Sequence, residues 1–165
     1  MAEPLRILGV DPGSGKTGYG VIDHAQGHSR HIASGFLKLD RKRPLSERLL
    51  AIAEMLQALI KKHQPDCGVV EEVFFAHSPR TAIVLGHVRG VALLQFAAFG
   101  IPIHEYSPTE IKQAIVGVGR AEKSQVQHMV RILLNHQGTL QEDEADALAV
   151  AITHAHRIPN YRIRD

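Results

Sequence analysis

Asp11 follows the apolar run Leu5 to Val10 and precedes Pro12-Gly13, so a carboxylate stands at the end of what reads as a first strand. An ionised carboxylate is poorly suited to a sheet core, so Asp11 should face a cleft or cap the turn. An Asx-turn into Gly13 is the plainer alternative. Glu71 and Glu72 close a second apolar run, Cys67 to Val73. Alternation sends them to opposite faces, so at most one shares a site with Asp11; a strand emerging into solvent would tolerate both. Glu142-Asp143-Glu144-Ala145-Asp146 opens the last helix, where acids also complement the macrodipole. Asp143 and Asp146 are spaced i, i+3 and can point at one ion, while Glu142 can pair with Asp146 at i, i+4. Residue chemistry leaves that choice open.

Carboxylates from a first strand, a central strand and a late helix, without a His/Cys set, suit a hard cation bound through oxygen. Mg²⁺ is the natural candidate. Two such ions about 4 Å apart would activate a water and stabilise the leaving oxygen in phosphodiester hydrolysis.

Two strings near Asp11 imitate nucleotide sites. Gly13-Ser14-Gly15-Lys16-Thr17-Gly18 matches G-x-G-x-x-G, and Gly15-Lys16-Thr17 resembles the end of a P-loop. Both motifs need a helix directly afterwards to receive phosphate at its N-terminus. Here Tyr19-Gly20-Val21-Ile22 follows, which is strand material, and the P-loop's first glycine position is Val10. The glycines are better read as a hairpin turn with positive φ.

The elements that must position the acids alternate. Strands are expected at Leu5 to Val10, Tyr19 to Asp23 and His31 to Leu39, joined too tightly for parallel crossovers and hence an antiparallel meander. A helix with Pro44 near its first turn carries Leu45, Leu49, Ile52, Leu56, Leu59 and Ile60 on one face and stops at Pro65. After the Cys67 strand, Ser78-Pro79 starts a long apolar helix to about Phe99, and Ile101 to Tyr106 is a further strand. Short helices follow from Pro108 and from Ala121 to Asn135, with the last from near Asp143 to His156. This is an α/β pattern with a mixed sheet.

Composition fits it. The chain has 165 residues, 44% hydrophobic and 22% charged, with a formal net charge of +2, a mild basic bias. One domain is expected over residues 1–158, with a short basic tail at 159–165. Cys67 is the single cysteine, which excludes a disulfide framework and a Cys-based zinc site. Nothing at the N-terminus has the order of a signal peptide, and the apolar stretch Val91 to Ile103 is too short to span a bilayer. A cytoplasmic protein without a membrane partner is expected. His154 and His156, two apart on a helix, do not share a face, so zinc is disfavoured; His154 and His128 are left as candidates to touch a phosphodiester substrate. Gly86 and Gly90 sit four apart in the long apolar helix, where small residues let a second helix approach, or let the helix pack on its own sheet.

Four strings in order resemble the RuvC family of Holliday junction resolvases. They are Gly9-Val-Asp11-Pro-Gly13-Ser14, Val70-Glu71-Glu72-Val73-Phe74, the stretch from Val116 through Glu122-Lys123-Ser124 to Val130, and Asp143-Glu-Ala-Asp146 through His154. They span nearly the whole chain through His156. The resemblance implies a ribonuclease H-like fold with a mixed five-stranded sheet, an antiparallel meander followed by parallel strands, flanked by helices. It places the family's metal-binding catalytic carboxylates on Asp11, Glu71, Asp143 and Asp146, so Glu71 is chosen over Glu72 and Asp143 over Glu142. Lys123 joins the catalytic set. Phe74, Lys112, Lys123, Arg80 and Arg120 form the expected DNA-contacting set, with Phe74 a wedge against junction bases and a small satellite core its alternative.

The implied activity is symmetric, Mg²⁺-dependent nicking of two like-polarity strands of a four-way junction, leaving 5′-phosphate and 3′-hydroxyl ends. Two ions per subunit are expected, with Mn²⁺ able to substitute. A homodimer and a branch-migration helicase complex of the RuvA and RuvB type are the implied partners. The loop Ala76-His77-Ser78-Pro79-Arg80 departs from the family pattern and bears on DNA contacts there. An ATP-binding protein of the actin-like superfamily is a rival, but it needs a second domain that 165 residues do not hold. A non-catalytic binder of branched DNA is the other, favoured only if an acid were missing.

Overall fold

A computed structural model of the chain describes residues 3–72 and 77–158. Three strands come first: β1 (Leu5–Asp11), β2 (Lys16–Ala25) and β3 (His28–Lys38). They are followed by α1 (Leu45–His63), β4 (Cys67–Glu71), α2 (Pro79–Ala98), β5 (Ile103–Tyr106), α3 (Pro108–Val116), α4 (Lys123–Leu133) and α5 (Glu142–Arg157). The sheet order is β3-β2-β1-β4-β5. β1, β2 and β3 are an antiparallel meander, while β4 and β5 run parallel to β1. This is the expected α/β architecture. The meander strands are longer than the sequence suggests because β2 and β3 continue to a two-residue turn, Gln26-Gly27, with φ of 51° and 79°.

Strand alternation sorts the core into two layers. Ile7, Ile22, Cys67 and Val69 face α3, α4 and α5, where Ile111, Val126, Val130, Leu148 and Ile152 meet them. Leu8, Val10, Val21 and Val70 face α1 and α2, against Ile52, Leu56, Val88 and Phe96. Asp11 has the parity of Ile7 and Gly9, and Glu71 that of Cys67 and Val69. Both therefore project toward α5. Glu72 turns the other way, its backbone N–H donating to the Tyr106 carbonyl at 2.9 Å.

Gly13 and Gly15 lie in the hairpin connection between antiparallel β1 and β2 as expected, but neither has positive φ. Positive φ belongs to Gly27, Gly100 and Gly117. Gly9, Gly18 and Gly20 instead clear a path for α5: a β-carbon on each would overlap the Ala147 carbonyl, the Asp143 carbonyl and the Leu148 side chain respectively. Helix α5 lies almost on the backbone of β1 and β2 as a result.

The long apolar helix has its expected bounds. α2 is one continuous 20-residue helix, capped by Ser78 Oγ accepting from the Thr81 N–H at 3.2 Å. By length and a mean hydropathy of 1.4 it could cross a membrane. Its inner face, Val88, Ala92 and Phe96, is buried in the sheet core, while Ile83 and Leu94 are each 61% exposed on the outer face. Arg89 pairs with Glu105 at the neighbouring strand.

Candidate active site

The C-terminal ends of β1 and β4 meet the N-terminal turns of α5 at a cleft of about 420 Å³. β1 supplies Asp11, β4 supplies Glu71, and α5 supplies Asp143 and Asp146; all four line the cleft. Lys112 from α3, Lys123 from α4 and Lys16 from the start of β2 line it too. The helix-cap reading of the acidic run is taken up by other residues. Gln141 and Glu144 form the capping box of α5, with the Gln141 N–H donating to Glu144 Oε2 at 2.8 Å. Asp143 and Asp146 are left to the cleft.

The electrostatics are crowded. Burial, then repulsion from Glu71, Asp146 and Asp143, holds the Asp11 carboxyl well above the usual carboxylate range. Burial raises Glu71 as well, partly offset by its interaction with the neighbouring Asp11 carboxyl and by Lys123 and Lys112. Burial raises Asp146 against the pull of Lys123. The Lys123 ammonium lies 3.0 Å from Asp146 Oδ2 and also pairs with Glu142. Burial alone would lower its pKa; the two carboxylates outweigh that and raise it. Lys16 Nζ stands 3.7 Å from Asp143 Oδ2.

Two like charges 4 Å apart repel by about 4 kcal/mol at an effective dielectric near 20. Four carboxylates against three lysines leave the cleft with one net negative charge when all are ionised. A phosphodiester entering it would add another. The donor set is all oxygen, and the charge deficit is what a divalent cation corrects, so these residues fit a hard metal ion. Among the described residues no three His, Cys, Asp or Glu side chains converge on one point. Lys123 spans Asp146 and Glu142 across the mouth of α5.

The family profile for crossover junction endodeoxyribonuclease RuvC matches residues 7–154. The chain belongs to the RuvC family. A RuvC relative from Xanthomonas euvesicatoria is 50% identical over 152 residues, covering 92% of this chain and 87% of the relative. Another, from Alkalilimnicola ehrlichii, is 47% identical over 92% of each chain. Among solved structures, Thermus thermophilus RuvC in complex with a Holliday junction substrate superposes with a TM-score of 0.87. It is 32% identical and covers 92% of this chain and 93% of that one. A yeast mitochondrial Holliday junction resolvase shares the fold at a TM-score of 0.68 and 14% identity over 92% of this chain and 78% of that one.

Within this RuvC chain the structure gathers Asp11, Glu71, Asp143, Asp146, Lys112 and Lys123 in one cleft. Arg80, in the first turn of α2, and Arg120, before α4, are exposed and lie outside the cleft lining. Phe74 and the tail at 159–165 fall outside the described residues. His154 is not available to DNA: it is 5% exposed, stacked on His104 with ring centroids 4.0 Å apart, and its Nδ1 bonds the Tyr106 hydroxyl at 2.8 Å. His128 is exposed on α4. Sequence reasoning missed Lys16 as a cleft residue, although the P-loop-like string had marked it. Thr17 is buried in β2, with its hydroxyl 3.3 Å from the Gly13 carbonyl, so no helix follows that string.

Proposed function

We propose that this chain is a Holliday junction resolvase that nicks two strands of like polarity by Mg²⁺-dependent hydrolysis. The observation that carries this reading is the meeting of Asp11, Glu71, Asp143 and Asp146, from three separate elements, beside Lys112 and Lys123 in one cleft. Those four carboxylates would hold up to two Mg²⁺ or Mn²⁺ ions. The ions would supply Lewis-acid activation of water and charge stabilisation at the leaving oxygen. Lys112 and Lys123 are placed to receive the scissile phosphate and to balance charge developing on its oxygens. Attack at phosphorus breaks the bond to the 3′ oxygen and leaves a 5′-phosphate and a 3′-hydroxyl. The apolar lining beside the acids, Ile111, Val126 and Ala149, limits bulk water around the reacting atoms.

Two symmetric nicks require two such sites, and the outer face of α2 is the surface we assign to a homodimer. Ile83, Gly86, Gly90 and Leu94 there form an open apolar groove with Leu49 of α1, of about 490 Å³. A β-carbon on Gly86 or Gly90 meets nothing within 4 Å, so these glycines do not serve packing on the chain's own sheet. They leave room for a second helix. Resemblance supports a RuvA and RuvB type helicase complex as further partner, and a cytoplasmic site of action.

The decisive experiment is nicking of a synthetic four-way junction. Cleavage is expected with Mg²⁺ or Mn²⁺, little with Ca²⁺ and none in EDTA, and the nicks should seal with DNA ligase without end repair. Full cleavage in excess EDTA would overturn the metal-dependent mechanism, and nicks that ligase cannot seal would overturn the end chemistry.

A further inference from the structure

A second trough, of about 890 Å³, leaves the cleft at Gly13, Lys16 and Asp143, which line both. Lys38, Asp40, Arg41 and Glu142 wall it further out, with Glu142 paired to Lys123 of the cleft. The fold brings three cations, Lys16, Lys38 and Arg41, together there beside three acids. Antiparallel pairing sets Lys16 directly across from Lys38. The Leu39 N–H donates to the Gly15 carbonyl at 2.9 Å and ties the exit of β3 to the β1–β2 turn. Gly15 carries no side chain, and a β-carbon there would stand 2.8 Å from Arg41 Nη2, so the guanidinium lies along the turn. The Lys16 ammonium rests 5.0 Å from the centre of the Phe36 ring, which is 38% exposed.

These charges are largely unspent. Lys38 and Arg41 have no ion-pair partner among the described residues, whereas the nearby Arg43 pairs with Glu47. Asp40 is engaged at its own turn, accepting from the Lys42 N–H at 2.9 Å. Lys16 reaches Asp143 only at 3.7 Å with 44% of its side chain exposed.

We propose that Lys16, Lys38 and Arg41 form a phosphate-binding shelf that carries the cleaved DNA strand as it passes out of the catalytic cleft. The ligand is the strand's own phosphate backbone beside the scissile bond, because the trough opens from the cleft in which that strand is cut. Contacts of this kind position the strand and do not read its sequence. The inference rests on the nuclease reading above, and it assigns a role to the lysine of the P-loop-like string.

The test is junction binding by the full chain in EDTA, where nothing is cut, across roughly 50 to 200 mM salt. Each phosphate contact contributes about 0.9 to the slope of log affinity on log salt. Lys16→Gln and Arg41→Gln should each lower the slope by about that amount. Their affinity deficit relative to wild type should shrink about 3.5-fold across this fourfold range. Lys61→Gln and Lys62→Gln, at the far end of α1, should leave the slope unchanged. Unchanged slopes in a folded Lys16→Gln/Arg41→Gln double variant would overturn the shelf. So would a change in melting temperature alone, which would mean that Lys16 only neutralises Asp143. A linear duplex arm keeps the two readings apart: a wild type with no preference for the junction overturns junction resolution, while the shelf is judged on the slopes with either DNA.

Discussion

A β-carbon on Gly18 would occupy the space of the Asp143 backbone carbonyl. The missing side chain in β2 therefore sets how closely the N-terminus of α5 approaches the sheet, and with it where Asp143 and Asp146 stand relative to Asp11. Backbone cannot yield as a flexible side chain can, so Gly18→Ala must lift the start of α5. We expect a stability loss of about 1–3 kcal/mol, the usual cost of overpacking. Nicking should fall by much more than junction binding, because the acids are displaced while the basic surface is not. Calorimetry with paired nicking and gel-shift assays checks this; a variant with wild-type melting and cleavage would show that the close approach is not required.

Parity made part of the site legible in advance. Asp11 and Glu71 end strands whose alternation, Ile7-Leu8 and Val69-Val70, already separates the two faces, so Glu71 and Glu72 had to diverge. The contribution of α5 was not legible from spacing. Glu142, Asp143, Glu144 and Asp146 are chemically interchangeable in sequence, and only the folded helix shows Glu144 closing the capping box while Glu142 pairs with Lys123. The packing role of Gly9, Gly18 and Gly20 was missed for a related reason. A residue without a β-carbon serves a turn or a close approach equally well, and the approaching helix lies more than a hundred residues away. Lys16 was marked only by a motif that fails, and its neighbours join it only in the fold, Lys38 through sheet pairing and Arg41 along the Gly15 turn.

His154 should make stability depend on mildly acidic pH. Burial, then the charge of His104, depresses its pKa to about 4 from the ordinary 6.5. Between those values the unfolded chain binds a proton that the folded chain does not, so stability falls as pH drops from 6.5 toward 4. At about 1.4 kcal/mol per unit the loss is about 3 kcal/mol at most. Denaturant unfolding across this range should show a shallower pH dependence for His154→Gln than for wild type. Parallel curves would exclude His154 as the source.

Gly86→Leu should separate folding from association. A side chain there enters open space in the protomer and replaces glycine in a helix interior, which favours the helix by up to about 1 kcal/mol. In a dimer joined through α2 the same side chain would hold the two helices apart. Analytical ultracentrifugation should find weaker self-association with protomer stability unchanged or raised. A dimer as tight as wild type would move the interface to another surface.

Asp146→Asn should abolish nicking while leaving junction binding equal or stronger. The side chain is 20% exposed, and its carboxylate accepts from Lys123 at 3.0 Å. Asn keeps the shape and one acceptor oxygen, so the helix and the cleft should persist. What is lost is a negative charge in a site that must gather cations around a phosphodiester, and the neutral amide is the weaker ligand for a hard ion. Without bound metal, the same loss removes repulsion between the cleft and the DNA backbone, which is why binding should not suffer. A helix-stabilising acid would behave otherwise. Asp146 lies in the second turn of α5, where the macrodipole contributes only a few tenths of a kcal/mol, and its replacement would leave cleavage intact. Gel-shift and nicking assays on one four-way junction distinguish the two roles, and near-normal nicking by the folded Asn variant would refute the metal-ligand assignment.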